Sequence, residues 1–91
     1  EMTNTMQTQR MLRKPALMDR TGLANSTVHW HVAHGLLPKP VKIGARAAAW
    51  PEHEISEILA ARTAGADNDA VKALVVELTA KRMARNKDSA E

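Results

Sequence analysis

Apolar residues recur along this chain in short groups bounded by glycine and proline, and each group has its own spacing. Residues 1–10 are polar and aperiodic, which predicts a disordered start. Met11-Leu12-Arg13 reads as a short extended lead-in. Pro15 suits the first turn of a helix, where its missing N–H is not needed, and that helix is expected to reach about Thr21 and stop at Gly22 with Leu17 and Met18 inward. Leu23 follows the turn and points in. Val28 and Val32, four residues apart, mark the buried stripe of a second helix that Asn25 or Ser26 caps and Gly35 ends. Val41-Lys42-Ile43 then alternates, Gly44-Ala45-Arg46 gives a turn, and Ala47–Trp50 returns as a second strand on the strength of the turn, alanine being a poor strand former. Pro51 opens a third helix with Glu52 and Glu54 near its positive end. Its inner face is Ile55, Ile58, Leu59 and the stem of Arg62, and Gly65 stops it. Asp67 caps a last helix, from Asn68 to about Arg85, on which Val71, Leu74, Val75 and Leu78 share one face.

Short helix, glycine turn, second helix and β-hairpin together predict a mainly α winged helix-turn-helix over residues 11–64, with the second helix in the position of a recognition helix and the hairpin as the wing. A C-terminal helix at 66–86 and a disordered tail at 87–91 complete the organisation. A winged helix can close its core by about Ala64. The stripe of Val71, Leu74, Val75 and Leu78 is therefore expected to join protomers, as a dimer or a head-to-tail array, since an isolated helix of that length is marginal in water. Folding back on the third helix is the competing arrangement.

Composition narrows the chemistry. The chain of 91 residues has no cysteine, which removes disulfides, zinc–thiolate sites and thiol nucleophiles. Trp30 and Trp50 are its only aromatic residues apart from histidine, so the core is aliphatic and thin, and a partner chain or ligand would add stability. The net charge of +3 is unevenly spread. Arg10, Arg13, Lys14, Arg20, Lys39, Lys42 and Arg46 face Asp19 alone in the first half, whereas five acids between Pro51 and Asp69 face only Arg62. A basic front and an acidic back point to an oriented contact with a polyanion; an unevenly charged solvated surface is the plainer alternative. No apolar run is long enough to span a membrane and no signal-peptide pattern opens the chain, so a cytoplasmic, nucleoid-associated protein without a membrane partner is expected.

The stretch Thr21–His31, TGLANSTVHWH, crowds two imidazoles and an indole into three positions. His29 and His31 lie about 200° apart on a helix and cannot share a metal, and no acidic or thiol ligand stands near His31 and His34; no metal site is expected. Ser26 has no base or acid around it and no glycine-rich phosphate cradle exists, so neither catalysis nor a cofactor is expected. With Val28 and Val32 as the inner face, His31 reads as a half-buried histidine with one hydrogen-bond partner. Asn25, Ser26 and Thr27 stand where a recognition helix meets base edges, flanked by His29 and Trp30, and these five are the candidate base-contacting residues; helix capping is the alternative use of the first three. Trp30 has three readings: core, groove edge, or a neighbouring protomer. Trp50 is expected to anchor the hairpin. Arg46 at the wing tip, with Lys42, Lys39 and Arg20, suits backbone phosphates; Arg13 and Lys14 are weaker candidates.

Three segments carry a resemblance: LRKPALMDRTGLANSTVHW, GLLPKPVKIGARAAAW and PEHEISEILAAR. Over residues 12–62 the chain resembles the AlpA-like regulators of phages and mobile elements, relatives of the MerR and excisionase winged helices. The most specific string holds Pro38, Pro40, Val41, Lys42, Gly44, Arg46, Ala49 and Trp50. The resemblance implies binding to double-stranded DNA, with the second helix in the major groove and the wing on the backbone or minor groove. It also implies control of a prophage or integrative element, as a transcriptional regulator or as an excisionase beside an integrase. Members commonly carry an aromatic, a basic and an apolar residue where this chain has His29, Trp30 and His31, so its base contacts are its own. A winged-helix adaptor that binds protein rather than DNA is the alternative function.

Overall fold

The computed structural model describes residues 10–89, with side chains as far as Ala84; the expected disordered start, residues 1–9 of it, and the last two residues lie outside the described residues. The elements in order are β1 (Met11–Leu12), α1 (Lys14–Thr21), α2 (Asn25–Ala33), β2 (Val41–Gly44), β3 (Ala47–Pro51), α3 (Glu52–Thr63) and α4 (Asn68–Ser89). This is the expected winged helix-turn-helix followed by a C-terminal helix. The final helix runs on through residues 87–89, which the sequence pattern assigns to a disordered tail.

The helix-turn-helix corner is set by backbone chemistry. Gly22 takes φ 75°, which a side chain would strain, and its N–H donates to the Met18 carbonyl at 2.8 Å. The Thr21 hydroxyl donates back to Leu17 O at 2.8 Å and accepts the Leu23 N–H at 3.2 Å, so one side chain ties both sides of the turn. Neither Asn25 nor Ser26 caps α2. The N-cap is Ala24, with no side-chain cap bond, and Asn25 is already helical with its side chain turned to other work. α2 ends where Leu36 N–H donates to His31 O at 2.8 Å around Gly35 at φ 75°, and buried Leu36 covers the end.

β3 is the middle strand of a three-stranded antiparallel sheet ordered β1-β3-β2. The lead-in expected at Met11 and Leu12 is a strand, paired to Pro51 and Trp50. On the other side Val41, Lys42 and Gly44 face Ala49, Ala48 and Ala47, and a bulge between Lys42 and Gly44 turns Ile43 outward. Trp50 is buried and its indole N–H donates to Pro38 O at 2.7 Å, which ties the strand to the chain entering the wing. Pro51 is the N-cap of α3 rather than its first helical residue. Asp67 caps α4 as expected, its Oδ1 accepting the Ala70 N–H at 2.9 Å.

The core corrects one reading. Val71, Val75 and Leu78 are buried in the same core as Leu17, Val28, Trp50, Ile55 and Ile58, and Leu74 is half-buried against it. These residues fold back on α3 of their own domain, which is the competing arrangement. The reason is the thin aliphatic core: α1–α3 leave Ile55 and Ile58 uncovered unless α4 lies on α3. The stripe continues one turn further as an ion pair. Glu54 is 1% exposed, and its oxygens accept from Arg82 Nε at 2.8 Å and Nη2 at 2.5 Å. Glu54 is thus not part of a solvated acidic face.

Candidate nucleic-acid interface

α2 rotates the reading residues to one side. Asn25, Ser26, His29 and Trp30 are exposed, while Thr27 is half-buried beside Val28, which leaves it less available than its neighbours. Trp30 is 52% exposed, so the core reading does not hold for it. Its ring stacks on His34 at 3.8 Å and 18°, and His34 Nδ1 lies 2.8 Å from Trp30 O, which braces the indole at the surface.

His31 is half-buried, edge-on to Trp30 at 5.6 Å. Burial, then the positive charge of Arg62, then His34, push its pKa below the ordinary 6.5, so the neutral ring is favoured. Among the described residues its ring has no hydrogen-bond partner, contrary to expectation; its backbone carbonyl is the group that works, accepting from Leu36 and Leu37.

The cations divide. Arg20, expected on phosphate, is taken up inside the molecule: it donates to Glu52 Oε2 at 2.7 Å and to Ser56 Oγ at 2.8 Å, bridging the end of α1 to the start of α3. The cause is the placement of Glu52 in the first turn of α3, against the last turn of α1. Lys39, Lys42 and Arg46 are exposed and have no ion-pair partner among the described residues. They stand on the wing and its approach. Between α2 and the wing lies a cleft of about 300 Å³, walled by Val28, Val32, Ala33, Pro40, Ala48 and Trp50, with Lys14 and His29 also lining it.

Lys14 is the residue that sequence reasoning undervalued. Its Nζ lies 2.9 Å from Asn25 Oδ1 and 2.9 Å from His29 Nε2. The available signal was the four-residue spacing of Asn25 and His29, which places both on one edge of α2. That Lys14 meets this edge follows from the angle between α1 and α2, which no local pattern encodes. Among the described residues no group of three metal-ligating side chains forms, and no helix is long and apolar enough to cross a membrane.

The family described as prophage CP4-57 regulatory protein (AlpA) matches residues 10–63. The chain belongs to the AlpA family. The AlpA match opens one residue before β1 and closes on the last residue of α3, so α4 supplies core side chains from outside the matched segment. The uncharacterized protein ORF88 of Enterobacteria phage P4 is 35% identical to this AlpA-family chain over 57 residues, which cover 63% of the chain and 65% of that phage protein. The match thus spans just under two thirds of its curated relative. No solved structure matches.

Proposed function

We propose that this chain is a sequence-specific DNA-binding regulator of a prophage or integrative element. In this reading α2 enters the major groove, Asn25, Ser26, His29 and Trp30 meet base edges, and Lys39, Lys42 and Arg46 hold backbone phosphates or a narrow minor groove. The observation that carries it is the coincidence of two features. The exposed polar side chains of α2 stand next to a wing whose three cations lack partners among the described residues. Membership of a family named for a prophage regulatory protein supports the same reading.

Gel shifts at several salt concentrations test it. Three phosphate contacts predict that log K falls against log salt with a slope of about −3, at about 0.9 per contact. Salt-independent binding, or none, refutes it. Within this reading the role is transcriptional control or excision: footprints at a promoter mark the first, and footprints confined to the element's attachment site, dependent on an integrase, mark the second.

A further inference from the structure

The opening of α1 and the first turn of α2 meet at the Lys14 ammonium. Its Nζ is 2.9 Å from Asn25 Oδ1 and 2.9 Å from His29 Nε2. An ammonium has three N–H donors and no acceptor, so both atoms facing it act as acceptors. The Asn25 amide is therefore held with its oxygen toward Lys14 and its NH2 group away from it. His29 Nε2 presents a lone pair, which puts the proton of the neutral ring on Nδ1. Two of the three Lys14 donors are used, and one remains.

What these three side chains have left to offer is mainly donors: one N–H of Lys14, the NH2 of Asn25 and the Nδ1–H of His29, against a single remaining lone pair on the Asn25 oxygen. The base edges of the major groove sort by that property. Adenine pairs with an asparagine through one acceptor and one donor, and so needs the asparagine oxygen as well as its NH2. Guanine presents two neighbouring acceptors, N7 and O6, and takes donors only. Asn25 by itself suits adenine; with one lone pair of its oxygen held by a cation, it is a poorer and directionally restricted acceptor for the adenine amino group, and the balance of the site tips toward donors.

We propose that Lys14, Asn25 and His29 form a guanine-reading site, in which Lys14 biases the base preference by drawing on the oxygen that Asn25 would otherwise offer whole to adenine. Lys14 is in this respect a positioning residue, with a third N–H left to add to the donor set. The proposal rests on the DNA-binding reading above and adds to it the identity of a base.

The test is selection of binding sites from a random duplex pool by the full chain, followed by affinity measurements for Asn25→Ala and Lys14→Met. Asn25→Ala locates the base pair, as the position where discrimination relaxes. Wild type should prefer guanine there by on the order of tenfold over adenine, the usual worth of a well-made base contact. Lys14→Met should lose that preference or turn it to adenine. The same base chosen by wild type and Lys14→Met, or adenine chosen by wild type, overturns the guanine site and leaves DNA binding standing. No enrichment of any sequence and no salt-sensitive binding overturns both. Nitrogen-edited NMR of the free wild-type protein gives a readout independent of whether a variant folds: neutral His29 should carry its proton on Nδ1, and an Nε2–H tautomer refutes the arrangement.

Discussion

Replacing Arg82 with methionine tests how α4 is held. Glu54 is 1% exposed and both its oxygens are satisfied by the Arg82 guanidinium, whose side chain is 22% exposed. Methionine keeps much of the stem and removes every N–H. Breaking a buried ion pair by deleting one partner costs about 3–5 kcal/mol, because the other charge stays in a dry site. Two features favour the lower end. Arg82 lets water reach one side of the pair, and Glu54 sits in the first turn of α3, where the helix dipole favours a carboxylate. A loss of about 3 kcal/mol is a large part of the roughly 5–15 kcal/mol that stabilises a domain, and lowers Tm by about 12–24 °C at this size. Urea unfolding followed by circular dichroism measures it for wild type, Arg82→Met, Glu54→Leu and the double variant. The double variant buries no charge and should return to within about 1 kcal/mol of wild type. A loss under about 1 kcal/mol for Arg82→Met, or additive losses in the double variant, refutes the reasoning.

Three further outcomes are expected. A chain ending at Gly65 loses buried Val71, Val75 and Leu78, worth about 5–9 kcal/mol together, and should show no cooperative melt; a sigmoidal transition near that of wild type would mean that α1–α3 close the core unaided. His31 is held below its ordinary pKa of 6.5 mainly by burial, so the unfolded chain takes its proton more readily. The stability tied to the neutral ring is present above about pH 6.5 and is lost as the pH falls through the depressed folded value, and His31→Gln should flatten that acid slope, identical slopes being the refuting result. Arg46→Ala should weaken binding to all DNA sequences alike and reduce the salt slope by about one unit; a change of sequence preference with the slope unaltered removes the wing arginine from the backbone contacts.

The fold was legible where local chemistry decides it. Gly22, Gly35 and Gly65 all take positive φ at the stops that the spacing marked, and Asp67 caps α4 as its chemistry requires, while Pro51 stands one position earlier than expected, as the N-cap of α3. The hairpin was readable from Gly44 and Arg46 despite its alanines, because Ala49 is buried against the core and a small residue suits that place. What escaped depends on distance in the chain. Met11 and Leu12 form a strand only because Pro51 and Trp50, about forty residues on, offer them an edge. The destination of the α4 stripe was undecidable from its own periodicity, since a buried face looks the same whether its cover is the same chain or another. Glu54 looked like one more surface acid until Arg82, 28 residues later, came to meet it. At the candidate interface, Asn25, His29 and Trp30 are on the expected face, yet two expected roles were displaced by partners from other helices. Glu52 and Ser56 claim Arg20, and Lys14 claims the Asn25 oxygen.

The order β1-β3-β2 leaves β3 bonded along both sides, so among the described residues the unpaired strand edges belong to β1 and β2. β1 offers two residues, and β2 offers four that are broken by a bulge, with Lys42 exposed on it. Such margins are poor templates for another strand: too short to seed a ladder, kinked, and carrying a positive charge that repels its own copy. The wing can therefore project its backbone into solvent without recruiting neighbouring molecules into fibrils.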